Sequence, residues 1–190
     1  MSATWRISGV ILLAGCGGAN AGQSDPQTCA PVETTADSTM EASRLGGEFT
    51  LRLVATSGAK RGGTSEGPLR LMPQDSAYRR LELPDGSTST TYTLPLYGTA
   101  ELDFAAVGAV APGDPGSSDP ASPGVLVIES PGRVMMRVGS EANRRGVRRF
   151  DGGFTALQVQ QVTDSGFAGT WQSGLGTEQS GGHFCASRAT

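Results

Sequence analysis

The sequence predicts an all-β protein: a single antiparallel up-and-down β-barrel of about eight or nine strands, with a β-sandwich as second choice. Three observations carry this. Apolar and polar residues alternate at period two over most of the chain after residue 45, the pattern of a sheet with one face in a core and one in water. Glycine and proline supply 28 and 11 of the 190 residues, too many for a helix bundle, because both break helices. No stretch after residue 45 keeps a helical period. The strands follow one another in hairpin order, and closing them into a barrel removes exposed edges.

The first strand is written by Phe49, Leu51 and Leu53, alternating with Thr50 and Arg52. Leu69 and Leu71 flank Arg70, and Leu81 and Leu83 flank Glu82. Tyr92, Leu94 and Leu96 alternate with Thr93 and Pro95, and the proline calls for a sheet edge or a bulge. Ala100, Leu102 and Phe104 alternate with Glu101 and Asp103 and read as a further strand. Residues 125–128 are apolar on both faces and mark the most buried strand. Val134, Met136 and Val138 follow a turn at Pro131-Gly132. Residues 140–149 read as one or two helical turns. Residues 154–162 form the next strand, and Asp164-Ser165-Gly166 a tight hairpin. Phe167, Gly169 and Trp171 share the inward face that follows, and residues 182–188 close the series. Residues 58–63 read as a basic turn. Residues 111–124 and 173–182, rich in Gly, Pro and Ser, read as flexible loops.

The N-terminus has a different logic. Arg6 precedes a short apolar run that ends in small residues, as in an export signal. The run is far shorter than the ~20 residues that span a bilayer. Leu13-Ala14-Gly15-Cys16 resembles the lipobox of bacterial lipoproteins. The resemblance implies removal of residues 1–15 and acylation of Cys16, and two or more acyl chains hold a protein firmly at a membrane. Gly17, where an aspartate would favour the inner membrane, implies the outer membrane. Residues 16–44 are then a lipidated cysteine and a tether poor in apolar residues, and residues 45–190 the barrel domain. With Cys16 acylated, Cys29 and Cys185 remain as an even pair outside the cytoplasm, so a Cys29–Cys185 disulfide is expected.

Chemistry is sparse. The net charge is −3 with 17% charged residues, which disfavours a nucleic-acid binder. His183 is the only histidine; it reads as a packing or surface residue, and zinc sites need several such ligands. Glu101 and Asp103 read as a solvated strand face. No catalytic constellation, cofactor or metal site is expected. The densest charge cluster, Arg144, Arg145, Arg148 and Arg149, could clamp anions such as lipid headgroups, against the plainer reading of a solvated loop. Gly169-Thr170-Trp171 resembles the GxW of lipocalins, whose tryptophan lies on the first strand under an arginine of the last. Here the motif falls on the penultimate strand, and the implied packing sets Trp171 near Arg188 at one barrel end. Two functions follow as expectations. One is a non-catalytic envelope lipoprotein, a structural or interaction module with the membrane and an envelope protein or anionic lipid as partners. The alternative is a lipocalin-like carrier of a small apolar ligand.

Overall fold

The computed structural model describes residues 29–32, 40–74, 79–82, 88–111, 124–139, 142–144, 147–149, 153–175 and 178–189. Its strands are β1 (Gly47–Ser57), β2 (Thr64–Pro73), β3 (Arg79–Glu82), β4 (Thr88–Ala100), β5 (Gly124–Ser130), β6 (Arg133–Val138), β7 (Ala142–Arg144), β8 (Val147–Arg149), β9 (Gly153–Val162), β10 (Gly166–Leu175) and β11 (Glu178–Arg188). Eight of them close a ring in the order β1-β2-β4-β5-β6-β9-β10-β11, with every pairing antiparallel. The fold is a closed up-and-down barrel. Closure comes from β11 pairing with β1, Phe49 opposite Arg188 and Leu53 opposite Phe184. β3 lies outside the ring as an extension of β4, and β7 pairs only with β8.

Period two becomes an inside and an outside. On β1 the pattern is strict: Phe49, Leu51, Leu53 and Ala55 are buried, while Glu48, Thr50 and Arg52 are exposed. The same parity turns Leu69 and Leu71 inward on β2, Val134, Met136 and Val138 on β6, and Leu157 and Val159 on β9. Pro95 sits where the β4–β5 register shifts between Thr93 and Leu96, the expected bulge. Gly132 takes a positive φ of 71° in the two-residue β5–β6 turn, a conformation open to glycine at little cost. The Asp164-Ser165 hairpin joins β9 to β10 as expected, and the Thr163 N–H donates to Gly166 O at 2.7 Å.

Three local expectations are corrected. Residues 142–144 and 147–149 pair as the antiparallel strands β7 and β8 rather than forming helical turns. Loop 173–182 is mostly strand: β10 runs to Leu175 and β11 starts at Glu178. Its Gly and Ser residues suggested a loop, yet they serve close packing in the wall. The predicted strand over 100–104 stops at Ala100, and Phe104–Val107 form a 3-10 turn. Asp103 is the N-cap of that turn, its carboxylate accepting the Ala106 N–H at 3.2 Å. Glu101 and Asp103 therefore share no strand face.

Candidate functional site

The interior is the first place a barrel would bind anything. Phe49 and Phe167 meet edge to face at 5.0 Å between centroids, and Phe167 meets Phe184 at 6.2 Å. A void large enough for a ligand leaves accessible surface on its walls. Leu51, Leu53, Leu157 and Phe184 are 0% exposed, and Trp171 1%. The described interior is filled.

Trp171 explains the Gly-rich start of β11. Its register partner is Gly182. The indole reaches β1 and donates its Nε1–H to the Val54 carbonyl at 3.1 Å. A Cβ on Gly182 would collide with that carbonyl oxygen. Trp171 is thus buried but does not meet Arg188, correcting the expected pair. Arg188 lies over Phe49 instead, 5.0 Å from the ring centroid. The cause is register: Arg188 stands opposite Phe49, and Trp171 opposite Gly182, further along β11. The aromatic under the last-strand arginine is therefore on the first strand, in Gly47-Glu48-Phe49.

Each end of the barrel has a lid. We call the end where β1 begins the floor. There Ala42–Leu45 form a 3-10 turn whose Ala42 and Leu45 are fully buried. Glu129 shares parity with inward Val125 and Val127. Its Oε1 accepts the Ala42 N–H at 3.1 Å, and its Oε2 accepts the Thr93 hydroxyl at 3.3 Å. Arg188 donates from Nε to Asp164 O at 3.2 Å and from Nη2 to Arg44 O at 3.4 Å. Arg44 and Asp164 form an exposed ion pair at 3.4 Å, worth little in water.

The roof is the described start of the β4–β5 connection, residues 101–111. Phe104 and Val107 point into the core. The rest is fastened by hydroxyls. The Val110 N–H donates to Ser173 Oγ at 2.8 Å, and the Thr155 hydroxyl donates to Val110 O at 2.7 Å. The Thr155 and Ser173 oxygens are 2.9 Å apart, and the Ser180 hydroxyl donates to Gly108 O. Thr155, Ser173 and Ser180 are buried, so these bonds satisfy groups that water cannot reach.

The outer flank over β10, β11 and β1 carries the expected disulfide. Cys29 and Cys185 are bonded, with 5.2 Å between Cα atoms and a sequence separation of 156. Both pack with Ala168 against Val32 and Val54. His183, half-buried beside them, makes a 3.0 Å hydrogen bond between Nε2 and Cys29 O. A carbonyl only accepts, so Nε2 carries the proton. His183 is a packing residue that helps hold residues 29–32 on the wall.

The other sequence-named site residues are Cys16 and the four arginines. Cys16 and Arg145 lie outside the described residues. Arg144 stands opposite Val147, and Arg148 opposite Asn143, in the β7–β8 hairpin, where Arg149 also lies. Sequence reading missed Glu129, Thr155 and Ser173. Their signal was present: each falls on the inward parity of a strand whose other inward residues are apolar. Two grooves lie on the outer wall. One of about 370 Å³ has Thr56, Ser57, Gln172 and Gln179 on its rim, and one of about 290 Å³ lies beside Glu48, Glu66 and Arg70. Met72 and Tyr97, paired across β2 and β4, are exposed large apolar residues at 53% and 41%. Among the described residues no group of three His, Cys, Asp or Glu could hold a metal ion, and no helix is long and apolar enough to cross a membrane. No protein-family model, curated protein or solved structure matches the chain.

Proposed function

We propose that this chain is a non-catalytic lipoprotein of the bacterial cell envelope, held at the outer membrane by lipid on Cys16, with its barrel acting as a structural or interaction module. The observation that supports the module is the packed interior under two lids, beside an outer wall that carries the grooves and the exposed Met72–Tyr97 pair. A carrier needs volume inside; a module needs surface outside. The anchor rests on the Leu13-Ala14-Gly15-Cys16 motif.

Native mass spectrometry of gently extracted protein tests the module. The expected result is a complex with an envelope protein and no stoichiometric small molecule. A lipid bound one to one inside the barrel would overturn it in favour of a carrier. Intact mass of the membrane form tests the anchor: it should begin at Cys16 and carry acyl groups, and Cys16→Ala should abolish both features.

The lipocalin-like carrier is the second reading, favoured by one observation. Arg188 of the last strand covers Phe49 of the first, the arrangement that the lipocalin resemblance implies for its tryptophan and arginine. The arginines 144, 145, 148 and 149 are assigned anionic headgroups as a partner. Reversing Arg144 and Arg148 to Glu should weaken binding to anionic liposomes, and unchanged binding would remove that assignment.

A further inference from the structure

We infer that the Cys29–Cys185 disulfide sets which side of the barrel faces the lipid surface, turning the β10–β11–β1 flank toward it. This rests on the lipid-anchor reading of Cys16. Chain length carries the inference. Cys16 and the start of β1 at Gly47 are 31 residues apart, but Cys16 and Cys29 only 13. The disulfide fixes Cys29 on the outer face of β11, where Cys185 stands between Arg52 of β1 and Ala168 of β10. Packing against Ala168 and Val54 and the bond from His183 hold the same segment to the wall. The mechanical attachment point is therefore the flank, not the floor where residues 40–45 enter β1.

Thirteen residues span at most about 45 Å, whatever their conformation. From the β11 flank a lipid surface is reached with most of that length unused. From the opposite flank the chain must first pass half the ring. In the eight-strand order β5 lies four strands from β11, and β4 four from β10. Four spacings of about 4.8 Å are crossed at the backbone, and more over the side chains. The chain must then still descend to the membrane. That path consumes most of the contour length, and a chain pulled straight loses conformational entropy. Without the disulfide the leash runs to the floor turn, which packs on β4 and β5 and is bonded to Glu129 of β5, so the bias toward the β10–β11–β1 flank disappears. With it, β4 and β5 are turned away from the lipid, and Tyr97 with them.

The mature chain offers its own probe, because Trp171 is its only tryptophan once Trp5 is removed with residues 1–15. Trp171 lies on β10 and Tyr97 diametrically opposite on β4. We would couple the Cys16 thiol of the mature chain to a maleimide lipid in vesicles doped with a dansyl headgroup lipid. Energy transfer from tryptophan then reports which flank is near. Transfer from Trp171 should exceed that from the Trp171→Phe/Tyr97→Trp variant by roughly threefold or more with the disulfide intact. In Cys29→Ala/Cys185→Ala the excess from Trp171 should disappear or reverse. Equal transfer in the disulfide-bonded protein would overturn the inference, and that comparison does not require the cysteine variant to fold. Because the lipid is attached chemically, the outcome is independent of whether cells acylate Cys16; the mass of the membrane form decides that separately.

Discussion

The two ends of the barrel are closed by the same device, a 3-10 turn, and fastened by different chemistry. The floor turn drives Leu45 and Ala42 into the core, caps its first N–H on Glu129, and is rimmed by exposed charges. The roof turn drives in Phe104 and Val107 and is stitched by the buried hydroxyls of Thr155, Ser173 and Ser180. The segment that leads to the floor is also tied covalently, because Cys29 is bonded to the β11 wall thirteen residues before Ala42. The roof is fastened without a covalent tie among the described residues. The difference teaches where each end is vulnerable. Loss of apolar volume or of the disulfide should open the floor. Loss of one hydroxyl should open the roof.

The largest expected effect comes from the disulfide. Closing a loop of 156 residues should contribute about 5 kcal/mol on chain-entropy grounds. Cys29→Ala/Cys185→Ala should lower unfolding free energy in urea by roughly that amount. Amide exchange should quicken more at Ala42–Leu45 than at Phe104–Val107. Equal quickening at both ends would break the comparison. Next is Leu45→Ala, which empties a fully buried site and should cost about 3 kcal/mol, read from the urea midpoint. A loss under about 1 kcal/mol would mean that the floor collapses onto the space and that Leu45 is not its plug.

Thr155→Val keeps the shape but removes the hydroxyl, leaving Val110 O without that donor. It should cost about 2 kcal/mol and speed exchange at the Val110 amide, with the floor unaffected. Protection unchanged at Val110 would show that Ser173 alone fastens the roof. The smallest effect should be Asp164→Asn. It breaks the exposed pair with Arg44 but not the bond from Arg188, which goes to the Asp164 backbone. Stability should move by less than about 0.5 kcal/mol. A loss above about 1 kcal/mol would give the charged rim of the floor a role that its exposure does not suggest.

Much of the wall was legible because period two is a local property. A residue such as Leu51 needs only Thr50 and Arg52 to declare which way it faces. The disulfide was legible in the cysteine count, since Cys29 and Cys185 are the pair that remains once Cys16 is set aside. What misled were segments whose composition has two uses. Gly181 and Gly182 signal a loop by propensity, yet they lie in β11 so that Trp171 can cross to Val54. Leu102 and Phe104 continue the alternation of β4, yet the chain turns over the barrel mouth because Phe104 fits the core there. The lipocalin resemblance pairs Arg188 with the wrong aromatic, since its true partner is 139 positions away in sequence and is set by the β1–β11 register.

The sequence by itself determined the all-β class, most of the wall strands with their hairpin order, and the paired cysteines. Each is written in neighbours a few residues apart or in a count. Only the tertiary structure decided that the barrel is filled, that both ends are lidded, that Arg188 covers Phe49, and that the chain is fastened to the β11 flank. Those depend on ring closure. Alternation fixes the face of each side chain but not its height along the barrel. Height follows from register between strands far apart in the chain, and register sets which inward groups meet.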